Sequence, residues 1–259
     1  VYKRQYYASA AFYADNTLIK FQAFGNSEKT YQAWNGVPSY LLDTDRSYNP
    51  CGEYEEDGVK KFYNNQTDNY WQHNYHLMAS QRIGDFWNMN LTLHYTDGNG
   101  YYEDYKSKAK FSSYKLPEYI DPEGNTVKKT DLVRRKWLDN YFYGAVYSAN
   151  YQHDNTRLTL GTAVNNYVGD HFGWVMWTKS ANVLPQPDYE YYRNTGKKLD
   201  YNAYAKLTQR LSPLFTGYLD LQYRGIHYTI KGNDDKAEEE LDIHKNWNFF
   251  NPKAGINFH

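Results

Sequence analysis

In this 259-residue sequence few residues stand where they could do bond chemistry, and those that do point to holding something rather than converting it. Asp170 and His171 are adjacent and flanked by Gly169 and Gly173 in a segment read as a loop. A carboxylate and an imidazole so placed could meet an incoming metal complex or anchor the loop by hydrogen bonds. His73 and His76 are three apart, which on a strand sends them to opposite faces and denies them a shared metal. Asp43 and Asp45 begin as a calcium loop does but lack its glycine and distal glutamate. The acidic runs Glu53–Asp57 and Asp234–Glu240 could draw in a cation or serve as solvated loop tips. Trp34 with Asn35, and Trp174 and Trp177 close to Asp170 and His171, put indole planes beside amide and acidic groups. Such sets suit sugars, corrin rings or catecholate chelates, and they suit equally the packing of one loop on another. No Gly-x-Ser-x-Gly elbow, phosphate-cradling Gly-Lys-Ser/Thr loop or His-Glu-x-x-His helix occurs. The single cysteine, Cys51, excludes an intrachain disulfide and a cysteine zinc site. No enzyme, no cofactor and no bound metal is expected.

The composition fits neither an ordinary soluble enzyme nor a disordered chain. Hydrophobic residues make up 41% and aromatics 19%, with 30 tyrosines, yet mean hydropathy is −0.93. Leu, Ile, Val and Met normally build a core, and here Tyr outnumbers each of them. A net charge of −1 leaves no electrostatic footprint for nucleic acid. No apolar run approaches the ~20 residues of a membrane-spanning helix.

The dominant period is two. Trp87, Met89, Leu91, Leu93 and Tyr95 alternate with Asn88, Asn90, Thr92 and His94, and the segment ending at Arg82 alternates likewise, so a tight hairpin turns at 83–85. Further hairpins are predicted over 6–13 and 17–25, 141–152 and 156–166, and 200–210 and 214–228, with a ninth strand at 248–258. Between hairpins lie long polar stretches, 26–70, 97–140, 167–199 and 229–247. Short turns alternating with long loops is the plan of an antiparallel up-and-down transmembrane β-barrel, with short periplasmic turns and long extracellular loops. The apolar parity then meets lipid and the polar parity, with Lys20, Gln222 and Arg224, lines a wet lumen. Aromatics near strand ends, such as Trp71 and Tyr75, Tyr141 and Tyr143, and Phe249 and Phe250, suit interfacial girdles. A soluble β-sandwich is the competing fold, but the sequence offers no second apolar layer to cover the exposed faces.

The runs Glu28-Lys29-Thr30-Tyr31-Gln32-Ala33-Trp34-Asn35-Gly36-Val37-Pro38, Tyr63-Asn64-Asn65-Gln66-Thr67-Asp68-Asn69-Tyr70, Arg135-Lys136-Trp137-Leu138-Asp139-Asn140 and Gly169-Asp170-His171-Phe172-Gly173 resemble TonB-dependent receptors of Bacteroidetes-type bacteria. So do Leu219-Asp220-Leu221-Gln222-Tyr223-Arg224 and Phe250-Asn251-Pro252-Lys253-Ala254-Gly255. The resemblance implies a bacterial outer-membrane barrel of ~22 strands with a plugged lumen, of which this chain holds about nine strands and no plug. It implies outer-membrane lipid around the wall, energy from TonB-ExbB-ExbD delivered through the plug, and energised uptake of a scarce small molecule or glycan: a ferric siderophore, haem, cobalamin or oligosaccharide. A porin-like channel and a soluble glycan-binding or adhesin domain are the alternative functions. Residues 1–5, Val-Tyr-Lys-Arg-Gln, match the translation of a sequencing-library adapter and are expected to be a scar, leaving 6–259 as partial barrel. Both ends are expected to be cuts within a longer gene.

Overall fold

The computed structural model describes residues 2–180, 183–236 and 240–259. Val1 of the expected scar and Glu238 and Glu239 of the second acidic run lie outside the described residues. The strands are β1 (Tyr2–Ala14), β2 (Thr17–Tyr31), β3 (Glu53–Glu56), β4 (Val59–Phe62), β5 (Thr67–Ile83), β6 (Trp87–Lys110), β7 (Tyr119–Ile120), β8 (Thr126–Val127), β9 (Lys129–His153), β10 (Thr156–Thr178), β11 (Tyr189–Arg210), β12 (Phe215–Asn233) and β13 (Glu240–Phe258). Nine of them form one antiparallel sheet in the order β1-β2-β5-β6-β9-β10-β11-β12-β13, while β3-β4 and β7-β8 are small ribbons inside connections. The sheet is an open wall with β1 and β13 at its edges.

All four expected tight turns are present at one end of the wall. Ala14 pairs Thr17, Ile83 pairs Trp87 and His153 pairs Thr156. Gly84 and Asp154 take φ of 58° and 45°, the left-handed conformation that lets a short hairpin follow the strand twist. The opposite end departs from expectation. The connections there are 32–66, 111–128, 179–188 and 234–239, the first somewhat shorter and the other three far shorter than the polar stretches in the sequence, because the strands run on through them. β9 has 25 residues where a bilayer crossing takes ~10. Beyond the lipid both faces of the sheet are wet, so hydrophobic alternation stops while the backbone ladder continues, and Gly98, Gly100, Gly169 and Asp170 sit in strands that such residues normally disfavour.

The register fixes which residues share a face. Lys20, Met78, Thr92, Val146, Ala163, Asn202 and Arg224 form one continuous row of cross-strand partners. Ala10, Phe21, Leu77, Leu93, Ala145, Val164 and Tyr201 form the neighbouring row on the opposite face. Phe21, Leu77, Leu93 and Val164 of that second row are exposed, as side chains meeting lipid must be. Along β9, Tyr141 and Tyr151 of this face stand ten residue steps apart, ~33 Å of strand and so ~25 Å of height at a ~40° tilt.

Tyrosine and glycine meet across strands. Tyr204 opposes Gly161 and Tyr201 opposes Gly225. A Cβ at either glycine would come within 2.2 or 2.3 Å of the ring, so the missing side chain is the hollow in which each ring lies. The wall has no core of its own. The buried apolar cluster sits at the loop end, where Phe111, Tyr114 and Leu116 fold onto Leu132, Val175, Tyr191 and Tyr192.

Candidate functional site

At that end the polar face holds a concavity of about 800 Å³. Its lining includes a tyrosine from each of five strands, Tyr70, Tyr102, Tyr167, Tyr192 and Tyr228, with Leu138, Ile230 and Leu241 among them. One row of partners runs Tyr70, Gly100, Leu138, His171, Asn194, and the next runs Tyr102, Lys136, Gly173, Tyr192. Gly173 is what lets Tyr192 lie against the sheet, since a Cβ there would fall 2.3 Å from the ring. The ammonium of Lys136 stands 5.7 Å above the Tyr192 ring and is hydrogen-bonded to the Asp235 carboxylate of the connection after β12. That hydrogen bond outweighs the effect of partial burial and holds Asp235 below the usual carboxylate range. Trp34, in the first long connection, packs edge-on to Tyr102 at 4.9 Å, with Asn35 exposed beside it.

Of the sequence-derived ligand candidates, His171 lines this concavity, and Trp34 meets it only through its contact with Tyr102. The others need correction. Asp170, His171, Trp174 and Trp177 lie in β10, not in a loop, and as strand neighbours Asp170 and His171 point to opposite faces, so they cannot share a ligand. Asp170 accepts hydrogen bonds from Thr195 Oγ1 at 2.6 Å and Arg193 Nη1 at 3.3 Å on the outer face. Trp174 is on that outer face too, donating from Nε1 to Glu190 at 3.2 Å and packed 5.2 Å from Trp137. Trp177 stacks on Tyr105, which also stacks on Tyr54 at 4.3 Å and so ties the first connection to the wall. Below the concavity, Lys20, Gln222 and Arg224 share one face of the sheet. Arg224 is clamped on Asp200, with Nε at 3.0 Å from Oδ1, and Gln222 donates to Asp220. His73 and His76 are on opposite faces, His73 beside Tyr6 and His76 beside Phe24.

Sequence reading missed the residues that shape the rim. Arg134 and Arg135 are strand neighbours serving opposite faces. Arg134 grips Asp104 through Nε at 2.8 Å and Nη2 at 3.2 Å, and Arg135 donates to Glu103 at 2.7 Å. Tyr63 and Asn65 of the first connection donate to the same Glu103 carboxylate. Where β5 ends against the longer β6, the buried amide of Gln32 donates to the carbonyls of Thr67 and Glu103, filling the interrupted ladder. Glu56 receives hydrogen bonds from Lys61 and Lys179, joining two connections, and these bring its carboxyl down to about 2. The readable signal was tyrosine recurring beside glycine in polar stretches, as at Gly100-Tyr101-Tyr102 and Tyr167-Val168-Gly169.

No protein-family model and no curated protein matches the sequence. Solved structures do. The siderophore receptor PiuA from Acinetobacter baumannii superposes with a TM-score of 0.64 at 12% identity, over 99% of this chain and 40% of its own. The ferric-catecholate import receptor Fiu from Escherichia coli K12, in its open form, gives 0.59 at 12% identity over 99% and 44%. BauA, the ferric preacinetobactin receptor from Acinetobacter baumannii, gives 0.55 at 8% identity over 98% and 37%. The chain therefore has the fold of a stretch of siderophore-receptor barrel wall, and it spans about two fifths of the length of the structures it matches.

Proposed function

We propose that this chain is wall and rim of a TonB-dependent importer in the bacterial outer membrane, taking up a scarce small molecule or glycan. The observation that carries the reading is the nine-stranded wall itself, apolar outside, tight-turned at one end and bearing a tyrosine-lined concavity at the other, in the fold of ferric siderophore receptors. Its residues bind and guide; they break no bonds. Trp34 and the rim tyrosines offer ring faces to a ligand, Lys20, Gln222 and Arg224 keep the passage below polar, and the outer girdles sit in outer-membrane lipid. Energy comes from TonB-ExbB-ExbD through a plug supplied by the rest of the receptor.

The test is uptake by iron-starved cells carrying the complete receptor, using a panel of radioiron-loaded chelates with labelled cobalamin and oligosaccharides. Uptake of one of these is expected to stop when the proton-motive force is collapsed. Uptake that continues without that force supports a porin-like channel instead. Recovery of the receptor as a soluble periplasmic protein would rule out both.

A further inference from the structure

Around the concavity, glycines on the polar face serve as hollows for the protein's own tyrosines. A Cβ at Gly98 would fall 2.3 Å from the Tyr70 hydroxyl, at Gly100 2.6 Å from the Tyr70 ring, at Gly169 2.3 Å from the Tyr167 hydroxyl and at Gly173 2.3 Å from the Tyr192 ring. Gly196 of β11 stands among them, paired with Gly169 on one side and Ile230 on the other, and it lines the concavity. No ring of the described residues fills its hollow. The atoms nearest to a Cβ there are the Gly169 carbonyl oxygen at 3.9 Å and Ile230 Cγ1 at 4.0 Å. Tyr167 lies over Gly169 on one flank, and the Ile230 side chain stands on the other. Strands run ~4.8 Å apart, so a ring seated over Gly196 would lie about one strand spacing from Tyr167, within the ~4.5–7 Å of offset aromatic pairs. Gly196 is in register with both neighbouring strands, which commits its backbone groups to the ladder. The hollow therefore offers bare backbone, a phenol ring and methyl groups. A sugar pressed into it would leave hydroxyls unpaired, whereas an aromatic ring has none to satisfy.

We propose that the hollow at Gly196 seats a planar aromatic ring of the imported ligand, which takes there the place that a tyrosine takes over the neighbouring glycines. The absent side chain at 196 then decides which ligands fit. The inference rests on the importer reading and narrows its substrate class to molecules that carry such a ring.

The experiment uses the complete receptor in detergent, with binding read by equilibrium dialysis. The ring-bearing probes are a ferric tris-catecholate, haem and cobalamin, and the ring-free probes are an aliphatic ferric tris-hydroxamate and a maltooligosaccharide. A ring-bearing probe is expected to bind. Gly196→Phe, which fills the hollow from within, should weaken that binding about tenfold or more, the worth of a stacked and buried ring. Gly196→Ala adds a methyl that no neighbour crowds, so it should weaken binding several-fold with thermal melting unchanged, which separates a blocked seat from a misfolded wall. Gly217→Phe, on the opposite face near the tight-turn end of β12, should leave binding alone. Full affinity in both Gly196 variants, or an equal loss in the Gly217 variant, overturns the ring seat and leaves the importer reading standing. A wild type that takes only ring-free probes does the same. Binding of none of these probes overturns the importer reading and the ring seat with it.

Discussion

Arg134 and Arg135 show how much a single strand parity decides. Consecutive guanidiniums on β9 go to opposite faces and each finds a buried carboxylate on β6, Asp104 on one side and Glu103 on the other. Removing one partner of such a pair leaves an uncompensated buried charge, at a cost of about 3–5 kcal/mol. Arg134→Ala should therefore loosen the rim locally, because Arg134 also donates to the Tyr114 hydroxyl at 3.3 Å and Tyr114 belongs to the buried cluster under the second connection. In limited proteolysis of the complete receptor, connection 111–128 should be cut many times faster in the variant, with the wall intact. Unchanged protection would show that Phe111 and Leu116 hold that connection without the ion pair. None of this was legible in the sequence, where Arg135-Lys136 read as part of a polar loop and no carboxylate partner could be assigned across 30 residues.

The strands were legible where lipid forces alternation and illegible where it does not. Leu91 and Leu93 against Thr92 and His94 gave β6 and its face directly, and the tight turns followed from Asp15-Asn16, Gly84-Asp85 and Asp154-Asn155. Above the girdles the same strands carry Gly98, Asn99 and Gly100, whose types suggest a loop, and cross-strand pairing with Gln72, Trp71 and Tyr70 on one side and Asn140, Asp139 and Leu138 on the other keeps them in the ladder. The site was misjudged for the same reason: Asp170, Trp174 and Trp177 looked like loop residues free to converge, and strand parity turns Asp170 and Trp174, and the register shift between Val175 and Trp177 turns Trp177, away from the concavity that His171 faces. The glycine hollows supply a test on this scale. Gly173→Leu should lift Tyr192 from the sheet and remove one wall of the concavity, lowering ligand affinity about tenfold or more. The same change at Gly217, near the tight-turn end of β12, where an added Cβ makes only an ordinary 3.5 Å contact with Leu211, should leave binding alone. Equal effects at both positions would mean that Tyr192 has room to repack.

As a whole the molecule is a curtain of strands with one dry side, and its stability depends on what lies against that side. Phe12, Phe21, Leu77, Leu93 and Leu221 are exposed, and two edge strands offer unpaired backbone groups. Produced alone, residues 6–259 should collect in insoluble aggregates with strong β-sheet circular dichroism, and detergent should not yield a monomer; a soluble, cooperatively melting monomer would contradict a lipid-facing wall. The tyrosines lying on glycines carry a further consequence. A strand that slips by one residue as it docks would bring Tyr204 over Leu160 or Thr162 in place of Gly161, and Tyr201 over Arg224 or Ile226 in place of Gly225. Each misplaced ring loses its recess, so a mispaired curtain cannot close up to native spacing. The tyrosines that lie on cross-strand glycines, part of an excess that first looked like a poor substitute for a core, thus favour one alignment of neighbouring strands over a slipped one.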